Sequence, residues 1–258
     1  MSEGHDTSTT ISATPVVGES FVVETFASRT LARQSFARAS LRGADFRGSD
    51  LSMADFRGAS LENANFEGAD LSGAQFVDAT LRGAHFTDAR LLYTNFVGAV
   101  LDDADFTRAF MHHADLSGAS ANSARFTWAR LMHATLRGAR CPGADFTGAC
   151  LRFADAFGAD LSFATLEFAD APSVKLGNAS LHGALLLSAN FDGAMLAGAD
   201  LTGASLGRTV LTNCGDLNRV NGLVSISHVA PSALDVTTFR RLQTTLPAAF
   251  IAGVGIEA

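Results

Sequence analysis

Three groups of side chains in this sequence have the types and spacing for chemistry. The first is acidic. Asp45, Asp50, Asp55 and Asp70 recur at multiples of five, and Asp102, Asp103, Asp105 and Asp115 crowd the middle of the chain. Neighbouring carboxylates can divide general-acid and general-base roles. The second group, His112, His113, His133 and Cys150, supplies nitrogen and sulfur donors of the kind zinc takes, but no carboxylate or CxxC completes a ligand set. The third mixes aromatic, sulfur-containing and basic residues: Arg90, Leu92, Tyr93, Phe110, His112, His113, Arg130, Met132, His133, Arg152 and Phe153. Tyr, Arg, Phe and Met are the types enriched where proteins meet. No phosphate loop, dinucleotide fingerprint, HExxH or GxSxG occurs. No catalytic residue, cofactor-binding residue, metal ligand or cofactor is therefore assigned, and the chain is expected not to be an enzyme.

What positions these residues is a repeat. Every fifth residue from Phe26 to Leu211 forms one unbroken series that is Leu or Phe except at Met111, Ala121, Cys141, Ala156 and Ala171. Two residues before each lies a second series dominated by Ala, as in Ala44-Asp45-Phe46-Arg47-Gly48 and Ala69-Asp70-Leu71-Ser72-Gly73. A period of five fits neither an α-helix nor a strand alternation, so the chain must turn a corner once per unit. Glycine is common at the last position of the unit, where it serves a turn and not a phosphate. The Asp before the central residue is more simply a turn residue accepting backbone hydrogen bonds than half of an acid–base pair.

The A-[DN]-[LF]-x-x pattern resembles the pentapeptide-repeat family over some three-quarters of the chain. The resemblance implies an all-β fold, a right-handed quadrilateral β-helix with four units per coil. In it the Leu/Phe and the preceding Ala point inward and the other three residues outward. The expected organisation is a disordered tail at 1–20, the β-helix at 21–211 and a small, partly helical cap or dimerisation segment at 212–258. Coils spaced ~4.8 Å apart make a rod roughly 45 Å long. Leu and Phe alternate, so Phe46, Phe66, Phe86, Phe106, Phe126 and Phe146 stack on one inner face, and Phe36, Phe56, Phe76 and Phe96 on the opposite one. Packing is the expected role of these ladders. Irregularity is expected around Ala156, Ala171 and Pro172.

The quadrilateral geometry gathers the third group above onto one outward surface, over Leu91, Met111, Leu131 and Leu151. Tyr93, His113, His133 and Phe153 then form a single column. Three readings stand for this patch: sequence drift or cover by the C-terminal tail, a partner or self-association surface, or a metal site. Large exposed apolar patches usually mean contact with something.

At the ends, Phe21, Val22 and Val23 are expected to begin the first coil. Asp235 is a plausible N-cap for a helix reaching about Thr244, with Phe239 and Leu242 on its apolar side and Pro247 beyond.

Composition limits function. The chain is 258 residues, 17% charged, with net charge −7, which excludes a broadly basic nucleic-acid binder. Three scattered cysteines give no disulfide framework. No signal peptide or membrane span is read, so a cytoplasmic, bacterial-type protein with no membrane and no direct nucleic-acid contact is expected. The leading reading is a non-catalytic interaction scaffold presenting a rigid surface to a protein partner. The resemblance also implies an alternative, a DNA mimic that binds DNA gyrase or topoisomerase IV and protects it from topoisomerase poisons, with a homodimer formed through the C-terminal segment. Mimicry needs dense negative charge, and the repeat holds 19 acids against 16 bases. Asp102, Asp103, Asp105 and Asp115 are its best local acidic cluster.

Overall fold

A computed structural model describes residues 25–255. The tail expected at 1–20, the coil start expected at Phe21, Val22 and Val23, and Ile256 lie outside the described residues.

Each five-residue unit makes one side of a four-sided coil. In the unit from Ala69 to Gly73, Ala69 and Leu71 are fully buried. Asp70 bridges in parallel to Asp50 on one side and Arg90 on the other, twenty residues away each time. The Ala74 N–H donates to the Leu71 carbonyl at 2.9 Å, closing a turn, and Gly73 takes φ 71°. Three further bonds tie this unit to its neighbours: Leu71 N–H to Arg90 carbonyl at 2.7 Å, Gly73 N–H to Leu92 carbonyl at 2.8 Å, and Asp70 N–H to Ser49 carbonyl at 2.9 Å. Backbone donors are thus satisfied between coils, as in a sheet.

Inside the rod the two Phe ladders are real stacks. Phe46, Phe66, Phe86, Phe106, Phe126 and Phe146 lie ring on ring at 4.7–5.0 Å. Phe36, Phe56, Phe76 and Phe96 do the same at 4.8–5.0 Å. The ladders also touch across the core. Phe56 meets Phe66 edge to face at 5.8 Å and 83°. Burial of each Phe stabilises by ~1.5–3 kcal/mol, and each favourable ring pair adds ~0.5–1.5 kcal/mol.

The core thins beyond Phe146. Ala156 and Ala171 leave a void of about 10 Å³ among Leu136, Phe146, Leu151, Leu161, Leu166 and Phe191. The backbone does not respond as expected around Pro172, because the bridges Cys150 to Asp170 and Asp170 to Asn190 keep the twenty-residue register. Pro172 occupies a turn position where no interstrand donor is required, and its carbonyl accepts from Phe153 N–H at 3.1 Å.

The coil also continues past Leu211, where the sequence period ends. Asp200 bridges Asn221, strand β1 (Ser205–Leu206) pairs in parallel with β2 (Ser227–His228), and Val210 bridges Ala233. The offset grows from 21 to 22 to 23 residues, so this last coil carries added residues that hide its register in the sequence. Helix α1 (Val236–Leu242) follows, its first turn capped by the Asp235 carboxylate accepting from Thr238 N–H at 2.8 Å. It stops short of Thr244, with Gln243 as its C-cap. After Pro247 comes α2 (Ala248–Gly253). Leu242, Leu246, Phe250, Ile251 and Val254 are buried and join the core. Among the described residues no helix is long and apolar enough to cross a membrane.

Candidate functional site

Three parallel columns make up one face of the rod. Arg90, Phe110, Arg130 and Cys150 are successive bridge partners. Leu92, His112, Met132 and Arg152 hold the first turn position, and Tyr93, His113, His133 and Phe153 the second. The last column is a continuous external stack: Tyr93 on His113 at 4.8 Å, His113 on His133 at 5.0 Å, and His133 on Phe153 at 5.1 Å, all within 10° of parallel. The C-terminal segment does not cover it, since Tyr93 is 65% and Phe153 51% exposed.

The backbone under this stack is unusual. The last residue of each described unit has φ near +60°, yet glycine occupies fewer than half of these corners. Tyr93, His113, His133 and Phe153 all take φ 56–58°. Left-handed backbone costs a residue with a Cβ roughly 1–2 kcal/mol. Stacking returns about 0.5–1.5 kcal/mol per pair, so the column contributes little to stability.

Beside it lies a groove of about 370 Å³ lined by Asp88, Arg108, Phe110, Trp128, Arg130, Gly148 and Cys150. Trp128, at the preceding corner, is 58% exposed and lies over Gly148. A Cβ built on Gly148 would come within 2.4 Å of the indole, so the bare glycine backbone is what lets the ring lie flat. The Arg130 guanidinium sits over the Phe110 ring, 4.5 Å from its centroid. Trp128 escaped sequence reasoning because it belongs to the neighbouring corner. The available signal was its being the sole Trp, twenty residues after Arg108. Aromatic exposure continues round the next coil through Phe157, Phe163 and Phe168, with Arg137 over Phe157 at 4.9 Å.

The four acids expected to cluster are divided by the fold. Asp105 lies on the ladder from His85 to Arg125, and Asp115 on the ladder from Asn95 to Thr135, two sides away round the coil. Asp102 is nearly buried, which alone would raise its pKa. Hydrogen bonds from Ser120 Oγ at 2.7 Å and from Asn122, with Arg82 at 3.2 Å, outweigh burial and hold it below the ordinary value. Asp105 behaves likewise, with Thr107 and Arg125 as partners. The repeat carboxylates at Asp45, Asp50, Asp55 and Asp70 accept from the backbone N–H two residues on, at 3.0–3.1 Å. They are turn-forming groups.

The histidines do not converge. The His113 and His133 planes are 4° apart, so their in-plane lone pairs run side by side. Among the described residues no three His, Cys, Asp or Glu side chains are placed to hold a metal. His112 has its pKa lowered, first by burial, then by Arg130 and the two neighbouring histidines. Cys141 is buried in the core, its thiol pushed up to about 12 by burial.

The sequence model for pentapeptide repeats matches in eight copies, over residues 30–63, 50–88, 84–120, 124–162 and 175–213. Among solved structures, HetL, a pentapeptide repeat protein involved in heterocyst differentiation regulation from the cyanobacterium Nostoc sp. strain PCC 7120, is 29% identical. The match covers 79% of this chain and 89% of HetL, with a TM-score of 0.58. A trypsin-treated form of QnrB1, a plasmid-mediated fluoroquinolone resistance protein, is 21% identical over 92% of this chain and 98% of that one, with a TM-score of 0.46. No curated protein matches the sequence.

Proposed function

From the premise that this chain belongs to the pentapeptide-repeat family, we propose that it is a non-catalytic interaction protein whose rigid rod presents the Tyr93–His113–His133–Phe153 face to a protein partner. The observation that carries this reading is the position of those rings. They stand exposed on left-handed corners that glycine would fill with less strain. Met132 and Phe110 extend the apolar surface beside them, and Arg90, Arg130 and Arg152 edge it. This composition is typical of contact surfaces.

The test is a pull-down from cells of the source organism with the parent protein and a variant carrying Tyr93→Ser, Met132→Ser and Phe153→Ser. The variant is expected to keep its circular dichroism and lose the partner. Retention of the same partner by the folded variant would refute this reading.

Charge distribution does not favour DNA mimicry. Along one bridge ladder Asp50 and Asp70 give way to Arg90, Phe110, Arg130 and Cys150 before Asp170. Along another, Asp55, Asp115 and Asp155 are separated by Gln75, Asn95 and Thr135, and Lys175 follows. Arg47, Arg57, Arg108 and Arg125 neutralise Asp45, Asp55, Asp88 and Asp105 within 2.6–3.0 Å. Duplex DNA carries a charge every ~1.7 Å without interruption. The C-terminal segment likewise favours capping over dimerisation, because Leu242, Leu246, Phe250, Ile251 and Val254 are buried within the chain, although Val224, Val229 and Val236 stay exposed.

A further inference from the structure

The groove beside the ring column holds an arginine that no acid of the described chain neutralises and that rests on a ring. Arg108, which also lines it, is paired with Asp88, and Arg90, Arg125 and Arg152 elsewhere on these coils are paired with Asp70, Asp105 and Asp170. Arg130 has no acidic partner among the described residues. Its guanidinium rests on Phe110 instead. A cation held over a ring keeps its charge and its in-plane N–H edge, the edge that matches a carboxylate in bidentate fashion. Phe110 floors the groove and Trp128, flat over Gly148, forms its wall.

We infer that this groove receives one carboxylate side chain from an extended, apolar-flanked segment of the partner protein, with Arg130 as its counter-charge. This rests on the reading of the face as a partner surface and names what the partner must bring. The groove spans the coils of Phe110, Arg130 and Cys150, roughly 10 Å at the spacing of adjacent strands, which an extended chain crosses in about three residues. The volume of about 370 Å³ suits an acidic side chain with one apolar neighbour. A polyanion fits poorly. Only one guanidinium is free, and the Asp88 carboxylate stands in the lining. Like charges at close range are repelled.

Trp128 is the only tryptophan, so its emission reports the groove directly. The full chain is titrated with two blocked peptides, Gly-Leu-Glu-Leu-Gly and Gly-Leu-Gln-Leu-Gly, and with sodium sulfate. The Glu peptide is expected to shift Trp128 emission saturably, with the Gln peptide at least tenfold weaker and sulfate without effect. In Arg130→Gln the preference should fall below twofold, and in Arg140→Gln, on a different ladder, it should persist. The inference is overturned by equal response to both peptides, by no response, by a sulfate response matching the Glu peptide, or by discrimination that survives Arg130→Gln. It is also overturned if emission shifts with protein concentration alone and light scattering shows a dimer, since a second copy would then fill the groove. If the peptides fail while the Tyr93, Met132 and Phe153 variant still loses its partner, the inference falls and the broader reading stands.

Discussion

His113 and His133 lie ring on ring, 5.0 Å between centroids and 4° between planes, each on left-handed backbone at φ 58°. The contact joins two unfavourable conformations. It holds a column of flat edges rigid on the rod surface without contributing much to folding.

Tyr93→Gly combined with Phe153→Gly removes both ends of the column and relieves two strained corners. Relief of roughly 1–2 kcal/mol per corner offsets lost stacking of about 0.5–1.5 kcal/mol per pair. Melting is therefore expected to stay level or rise while partner binding is lost. A clear drop in melting temperature would mean the column is structural.

Phe66 touches Phe46, Phe56, Phe76 and Phe86 at once. Phe66→Ala is expected to cost about 3–5 kcal/mol. Phe66→Asp places an unpaired charge in that core and should abolish the folded circular dichroism signal. Cooperative melting of the Asp variant at the parent temperature would contradict the inward ladder.

Both ring nitrogens of His228 are buried without a partner, beside Phe250 in the C-terminal segment, and burial lowers its pKa from the ordinary 6.5. The unfolded chain therefore takes up the proton first as pH falls. Stability is complete above the unfolded value and is lost progressively as pH drops towards the folded one. His112 acts with the same sign. Asp235, whose pKa is lowered to about 2, falls below this range. Melting temperatures measured from about pH 8 to about pH 5 should decline, and His228→Phe should flatten the decline. An unchanged slope in that variant would remove His228 as a cause.

Purified protein at micromolar concentration is expected to leave gyrase supercoiling unaltered and to give no protection from a fluoroquinolone, because among the described residues no bridge ladder carries an unbroken run of acids. Inhibition or drug protection in that assay would restore the mimicry reading.

The period of five, with the four units per coil that the family resemblance implies, was enough to place the buried Leu, Phe and Ala, the two aromatic ladders and the Tyr93 column, because every unit repeats one geometry and twenty residues return the chain to the same side. Outside the repeat, local sequence marked Asp235 as an N-cap, since that depends on a few adjacent residues. Nearness along the chain groups Asp115 with Asp102, Asp103 and Asp105, but the ten residues between Asp105 and Asp115 are two sides of the coil. The period did not show the last coil, where the offsets of 21, 22 and 23 residues break it while keeping the hydrogen bonds.

What the sequence determined by itself was the direction each residue faces, a local property of a repeated turn. Only the tertiary structure decided which exposed groups are already satisfied. Arg108 reaches back one coil to Asp88, Arg152 reaches forward to Asp170, and Arg130 settles on Phe110. Long side chains choose among partners on adjacent coils by distance and geometry, and a one-dimensional period carries neither.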